Sequence, residues 1–228
     1  MTEMRAILFD LDGTLIDTTA LVLRCFEHSW QTVCGQSHSR ETLIETFGLP
    51  LREAMRRLMA LSEELREQGA DDSAVTALID QLLAEYREFN VANHDVLARP
   101  FDGVRQTVAE LRARGYLIGV VTSKGRELAT RGLKLCSLDE FIDAAVFLED
   151  TDFHKPRPEP ILAALDKLNM KANSAAYVGD SRHDIIAGRA AGVRTVAALW
   201  GPFPRVQLER EQPDHLAASA TELLEIFT

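Results

Sequence analysis

Apolar positions along the chain follow two different rhythms. Residues 5–9 (RAILF) form a short apolar run that stops at Asp10-Leu11-Asp12-Gly13. Similar runs follow at Leu117–Val121, which ends at Thr122-Ser123-Lys124, and at Ala175–Val178, which ends at Gly179-Asp180-Ser181. A further run, Thr195–Leu199, ends near Gly201-Pro202. Short, continuously apolar, β-rich runs predict strands buried on both faces of a parallel sheet. Between them the pattern predicts helices over 103–114, 125–135, 158–168 and 182–191, with Gly115 and Gly192 where helix C-termini favour a left-handed residue. The expected fold is α/β, a doubly wound, Rossmann-like parallel sheet. Ligands of such sheets bind beyond the carboxyl ends of the strands, where Asp10, Thr122 and Asp180 all fall.

From about residue 17 to 95 the strand–helix alternation stops. Helical periodicity predicts helices over 18–33, 40–46, 51–66 and 73–92. This stretch holds 7 Arg, no Lys and 14 Asp+Glu, so it carries most of the chain's net charge. The expected organisation is a core of residues 1–16 plus 96–228, interrupted by an all-helical insertion over 17–95, with hinges near Ile16–Thr18 and Leu97–Pro100.

Of the 228 residues 46% are hydrophobic and 26% charged, which excludes a disordered, collagen-like or low-complexity chain. The net charge of −10 argues against a surface dedicated to nucleic acid or anionic membrane. An anionic substrate must therefore meet local positive charge, which a metal can supply. Cys25, Cys34 and Cys136 have no CxxC spacing and an odd count, so a disulfide framework and a zinc knuckle are unsupported and a reducing compartment is expected. The first residues meet Asp10 and Asp12 before a signal-length apolar run forms, and no apolar run approaches the ~18 residues of a membrane span. A cytoplasmic protein, monomer or homodimer, is the expectation.

Asp10 and Asp12 stand two apart at a strand end, which lets both carboxylates face one site, one as nucleophile and the other as proton shuttle. Gly13 permits a sharp turn and Thr14 can tie the loop. An ordinary Asp-Gly turn is the plainer reading of a bare Asp-x-Asp. Asp180 and Asp184, four apart across a strand-to-helix turn, can converge as oxygen ligands of Mg²⁺, or Asp180 or Ser181 can simply cap the helix. Thr122, with Ser123 and Lys124, offers a hydroxyl and backbone N–H groups at a helix N-terminus, either a phosphate site or a plain N-cap. Lys155 sits in a proline-stiffened string, His154-Lys155-Pro156-Arg157-Pro158-Glu159-Pro160, although a lone lysine is usually solvated.

DLDGTL at 10–15, Thr122 after a strand, Lys155 before Pro156 and Pro158, and GDSRHD at 179–184 resemble the four motifs of the haloacid dehalogenase superfamily, in order and at strand ends. The insertion resembles that superfamily's helical C1 cap. Gly132-Leu133-Lys134-Leu135, Leu138-Asp139-Glu140-Phe141 and the Lys-Pro-x-Pro-Glu-Pro string resemble the phosphoglycolate phosphatase group, leaning toward its pyrophosphatase branch. The resemblance implies a Mg²⁺-dependent phosphohydrolase acting on a small phosphorylated metabolite such as 2-phosphoglycolate or pyrophosphate. It implies that Asp10 is the nucleophile that becomes an aspartyl phosphate and that Asp12 is the acid and then the base. Thr122, Ser123, Gly13 and Lys155 would hold the phosphoryl group. Asp10, the Asp12 carbonyl and Asp180 would bind Mg²⁺, with Asp184 supporting the site through water or Lys155.

Asp12 argues against the dehalogenase and phosphonatase branches, and Leu11 stands where the P-type ATPase string has lysine. A mutase of the β-phosphoglucomutase kind shares the core motifs and stays an alternative, as does a non-catalytic binding protein on the same fold. There is no GxxxxGK[ST], GxSxG, HExxH or GxGxxG. In the insertion, Arg52, Arg56 and Arg57 follow Gly48-Leu49-Pro50, with Arg52 and Arg56 the candidates for contact with an anionic leaving group. The plainer reading is a solvated face paired with Glu53 and nearby acids. Trp200 is expected to pack in the core or at a rim.

Overall fold

A computed structural model describes residues 4–62 and 72–228. The described residues up to Thr18 form one compact unit with Ala98–Thr228, and those between Thr19 and Leu97 form the other. In chain order the strands are β1 (Ala6–Phe9), β2 (Ile16–Asp17), β3 (Arg99–Pro100), β4 (Leu117–Val121), β5 (Ala144–Val146), β6 (Ala175–Gly179), β7 (Arg194–Ala198) and β8 (His215–Ala217). Six of them make one parallel sheet in the order β5-β4-β1-β6-β7-β8, while β2 and β3 form a separate antiparallel pair. The sequence pattern predicts none of β5, β8 or the β2–β3 pair, because segments of two or three residues hold too few positions to show a period.

The helices of the first unit are α5 (Val104–Ala113), α6 (Arg126–Leu135), α7 (Glu159–Leu168), α8 (Arg182–Ala191), α9 (Arg205–Arg210) and α10 (Leu223–Ile226). Alternation along the strands sends side chains to two cores. Ile7, Phe9, Ile118, Val120, Ala176 and Val178 pack on one face with Val104, Val108 and Leu111 of α5 and Ala129 and Leu133 of α6. Ala6, Leu8, Val121, Ala175 and Tyr177 pack on the other with Ile161, Ala164 and Leu165 of α7 and Ala187 of α8. A sheet covered on both faces explains why its strands read as unbroken apolar runs. The chain turns out of α8 at Gly192, which has φ +76° and is the left-handed cap the sequence calls for.

The second unit comprises α1 (Thr19–Cys34), α2 (Arg40–Ile44), α3 (Leu51–Leu61) and α4 (Asp72–Leu97). Leu21, Phe26 and Trp30 of α1, Met55 and Leu58 of α3, and Leu82 and Tyr86 of α4 share its core at helical spacing. Phe26 and Tyr86 meet edge to face, with centroids 5.0 Å apart. Helix α4 runs to Leu97, beyond the predicted end at 92, and α2 stops at Ile44 rather than 46. The last part of the helix predicted over 51–66 lies outside the described residues.

Candidate active site

The strand register sets the site. Phe9 pairs with Val120 on one side and Val178 on the other, so Asp10 lies level with Val121 and Gly179. Thr122 and Asp180 follow one residue later. The acidic turn after β1 thus stands between the strands where the winding reverses, the place such sheets use for ligands.

At its centre Lys155 is 2% exposed, which excludes a solvated lysine. Its Nζ donates to Asp10 Oδ1 at 2.8 Å, Asp184 Oδ1 at 2.7 Å and the Tyr177 hydroxyl at 3.0 Å. Burial alone would lower the ammonium's pKa; the two carboxylates outweigh it and raise it. Burial, with repulsion from Asp184, pushes the Asp10 carboxyl up to about 7 against the pull of Lys155. Asp184 goes the other way. Although buried, it is held below the ordinary carboxylate range by Lys155 and by Ser181, whose backbone N–H and hydroxyl donate to Oδ2 at 3.0 and 2.5 Å. Ser181 is the N-cap of α8 and Asp184 closes a capping box with it, so the cap belongs to Ser181 and not to Asp180.

Asp180 is buried, and burial followed by the charges of Asp184 and Asp10 raises its pKa well above normal. The Thr14 hydroxyl donates to its Oδ1 at 2.7 Å. Gly13 has φ +91°, and a Cβ there would stand 2.5 Å from Asp180 Oδ2. Only glycine makes this turn and leaves room for the carboxylate.

Asp12 occupies a wetter position, with 28% of its side chain exposed. Its Oδ1 accepts from Thr18 Oγ1 and from Lys124 Nζ, each at 2.9 Å. Thr122 is nearly buried, and its Oγ1 accepts the Lys124 N–H at 3.1 Å. Thr122–Lys124 do not form the N-terminus of the helix, contrary to the expectation from the sequence, because the helix begins only at Arg126. Gly125 is the N-cap of α6, and the Arg126 N–H is already taken by the Glu149 carboxylate at 3.1–3.2 Å. An anion beside Thr122 would meet hydroxyl and ammonium groups rather than the first amide of α6.

Asp10, Asp180 and Asp184 bring carboxylate oxygens within 4.8 Å of one another, all buried. Three carboxylates face one ammonium, and burial with mutual repulsion disfavours the ionised forms of Asp10 and Asp180. An all-oxygen donor set short of positive charge fits a hard divalent cation. Asp184 already satisfies both oxygens with Lys155 and Ser181, which leaves Asp10 and Asp180 as the better ligands.

In the helical unit, Arg52 pairs with Asp80 at 2.5 Å and Arg57 with Glu45 at 3.5 Å, so the expected pairing with Glu53 is replaced by contacts to other helices or turns. Arg56 is exposed and has no hydrogen bond or ion pair among the described residues.

Sequence reasoning missed Tyr177 and Thr18, the ion pair of Lys124 with Asp12, and the hydrogen bond of Trp200. Tyr177 has a signal in hindsight, since a tyrosine inside a fully buried strand must find a partner for its hydroxyl. That hydroxyl accepts from Lys155 and lies 3.0 Å from the Val121 carbonyl and 3.1 Å from Asp184 Oδ1. Trp200, expected only to pack, donates from Nε1 to the Thr14 carbonyl at 2.9 Å.

Residues 7–198 match the family model described as haloacid dehalogenase-like hydrolase. The chain is 36% identical over 226 residues to pyrophosphatase PpaX of Bacillus thuringiensis, covering 99% of this chain and 97% of the relative. The Bacillus anthracis protein of the same name matches equally, at 36% over 226 residues. Among solved structures, a predicted phosphoglycolate phosphatase from Haemophilus somnus superposes with a TM-score of 0.86 at 23% identity, covering 100% of both chains. A haloacid dehalogenase-like family protein from Streptococcus pneumoniae gives 0.83 at 24%, again over 100% of both. At those identities the structural likeness speaks to the fold.

Proposed function

The chain belongs to the haloacid dehalogenase-like hydrolase family and is a phosphatase-class enzyme, and from that premise we propose a Mg²⁺-dependent pyrophosphatase that works through an aspartyl phosphate on Asp10. The observation that carries this reading is the buried contact of Lys155 with both Asp10 and Asp184, at 2.8 and 2.7 Å, beside Asp180. A phosphoryl dianion approaches a carboxylate only where cations offset the repulsion. The bound cation, held by Asp10, Asp180 and the Asp12 backbone carbonyl, would neutralise phosphoryl charge.

Lys155 lies against the Asp10 oxygen and offsets its charge, and Asp184 with Tyr177 aims that ammonium. The Thr122 hydroxyl donates a hydrogen bond to a phosphoryl oxygen. An Asp10 carboxylate oxygen bonds to phosphorus as the bond to the leaving oxygen breaks; from pyrophosphate the leaving group is orthophosphate. Asp12 gives that oxygen a proton. It then takes one from water, whose oxygen bonds to phosphorus while the Asp10–phosphorus bond breaks, releasing the second orthophosphate and regenerating the carboxylate. Thr18 and Lys124 both hold Asp12 Oδ1, and Oδ2, without a partner among the described residues, is the oxygen that moves the proton.

Pyrophosphate is favoured over 2-phosphoglycolate because the relatives that align along 99% of the chain are named pyrophosphatase. Of Arg52, Arg56 and Arg57, Arg56 is the one uncommitted among the described residues, and its replacement is the one expected to raise KM for an anionic substrate. Among the described residues no helix is long and apolar enough to cross a membrane. Cys25, Cys34 and Cys136 are free thiols.

The test is phosphate release with Mg²⁺ across pyrophosphate, 2-phosphoglycolate, β-glucose 1-phosphate, nucleotides and p-nitrophenyl phosphate, with Asp10→Asn as the blank. Preferred turnover of pyrophosphate, abolished by EDTA and restored by Mg²⁺, supports the reading. Full activity in metal-stripped protein refutes the cation, and preference for another member reassigns the substrate.

A further inference from the structure

The carboxylates of the acidic site stand at the carboxyl ends of the parallel strands. A separate cavity of about 840 Å³ lies at their opposite, amino ends. Arg5 just before β1, Arg114 and Tyr116 just before β4, and Arg194 at the first position of β7 line it, with Met170 and Ile226 adding apolar surface. β1 spans four residues, or ~13 Å of strand, so Arg5 and Asp10 lie at opposite ends of one strand and the two sites are distinct.

Charge there runs against the whole molecule. The chain carries −10, yet three arginines meet in this wall with no aspartate or glutamate side chain among its described residues; Thr228 lines it too, and Glu110, outside the wall, offsets the charge of Arg114. Arg114 is held rigidly. Its Nε donates to Glu110 Oε1 at 2.9 Å, and its Nη1 to the carbonyls of Leu224 at 2.8 Å and Phe227 at 3.1 Å. That bracing leaves Nη2 with no partner among the described residues. Arg194 is half-buried, and its guanidinium makes neither a hydrogen bond nor an ion pair among the described residues. A partly exposed guanidinium with no carboxylate beside it keeps its fork of donors open to an anion.

We propose that this cavity binds a phosphate-bearing anion of nucleotide size, in chemical class a nucleoside di- or triphosphate. A guanidinium fork matches phosphate oxygens in pairs, and a pre-placed Arg114 loses little freedom on binding. The volume lies within the range of small-molecule sites and exceeds what orthophosphate would fill. Met170 and Ile226, with the Tyr116 ring, offer an apolar side for the nucleoside, while Arg114 and Arg194 take the phosphates. The site is independent of the hydrolytic reading, since none of its residues belongs to the acidic pocket.

The test is fluorescence anisotropy of N-methylanthraniloyl-ADP with the full chain in EDTA. Without a divalent cation the acidic pocket offers a phosphate only the buried ammonium of Lys155, which Asp10 and Asp184 already hold. Saturable binding is expected, weakened about tenfold or more by Arg194→Ala and further by Arg194→Glu, with Arg194→Lys in between because it keeps the charge and loses the fork. Thr122→Ala should leave the probe's affinity unchanged, and Arg194→Ala should hydrolyse pyrophosphate at the parent rate. Equal affinity in the parent and Arg194→Glu overturns the proposal. So does loss of binding in Thr122→Ala, which would place the probe in the acidic pocket, or the absence of saturation at millimolar probe.

Discussion

The indole of Trp200 donates to the carbonyl of Thr14 at 2.9 Å, and the hydroxyl of the same threonine donates to Asp180 Oδ1 at 2.7 Å. A loop distant in sequence thereby sets the orientation of a buried carboxylate it does not touch through Trp200 itself. Trp200→Phe keeps an aromatic ring and removes the donor, a loss of about 1 kcal/mol or roughly fivefold in an equilibrium. The Mg²⁺ concentration for half-maximal hydrolysis should rise by about that factor, with kcat at saturating metal near the parent value. Because Trp30 is the other of only two tryptophans, Trp30→Phe isolates the Trp200 emission as a second readout of metal binding. An unchanged Mg²⁺ midpoint in Trp200→Phe would remove Trp200 from the positioning of Asp180.

Gly201 has no side chain to contribute, yet a Cβ there would collide with Asp180 and sit 2.8 Å from the Gly13 carbonyl. Gly201→Ala should weaken Mg²⁺ activation more than Trp200→Phe does, while circular dichroism shows a folded protein. Parent-like activation would mean the loop yields without moving Asp180.

Asp10→Asn is nearly isosteric and removes the attacking charge. It should fold normally and lose turnover about a thousandfold or more, as expected for a missing nucleophile. A variant with near-parent kcat would end the assignment of Asp10.

Lys155→Met removes the ammonium that Asp10 and Asp184 share at 2.8 and 2.7 Å. Breaking a buried pair by deleting one partner costs about 3–5 kcal/mol, so the urea midpoint at neutral pH should fall sharply. A midpoint within experimental error of the parent would show that the cluster tolerates uncompensated charge.

Asp143 gives a pH prediction away from the acidic pocket. Burial works to raise its pKa, but the Arg112 guanidinium at 2.5 Å and the Ile118 N–H at 2.9 Å outweigh burial and hold it below its ordinary 3.8. A carboxyl depressed on folding adds stability above its unfolded pKa and loses it as pH falls through the folded one. Asp143→Asn should therefore be less stable than the parent at pH 7, with the gap narrowing below about pH 4. A gap independent of pH would assign the effect to packing instead.

The β1, β4, β6 and β7 runs, the helices that separate them and the acidic turn after β1 were legible because each rests on local periodicity or on a turn within a few residues. The Ser181–Asp184 capping box is local in the same way. Lys155 was legible as a motif member, although composition alone would have put it in solvent. Its burial depends on Asp10, Tyr177 and Asp184, which lie 145, 22 and 29 residues away. The roles of Trp200, Thr18 and Lys124 carry no local pattern at all, and Glu149 takes the first amide of α6 from 23 residues downstream.

By itself, the sequence determined the strand and helix rhythm, the placement of Asp10, Thr122 and Asp180 at strand ends, and the helices among the described residues between Thr19 and Leu97, since near-neighbour sterics and amphipathic spacing decide those features. Tertiary structure alone decided which carboxylates cluster, which of them Lys155 compensates, which arginines are already paired, and that three arginines line a cavity at the sheet's far end. Those outcomes depend on Coulomb and hydrogen-bond partners brought within a few ångströms by the order β5-β4-β1-β6-β7-β8, and a linear pattern does not encode that order.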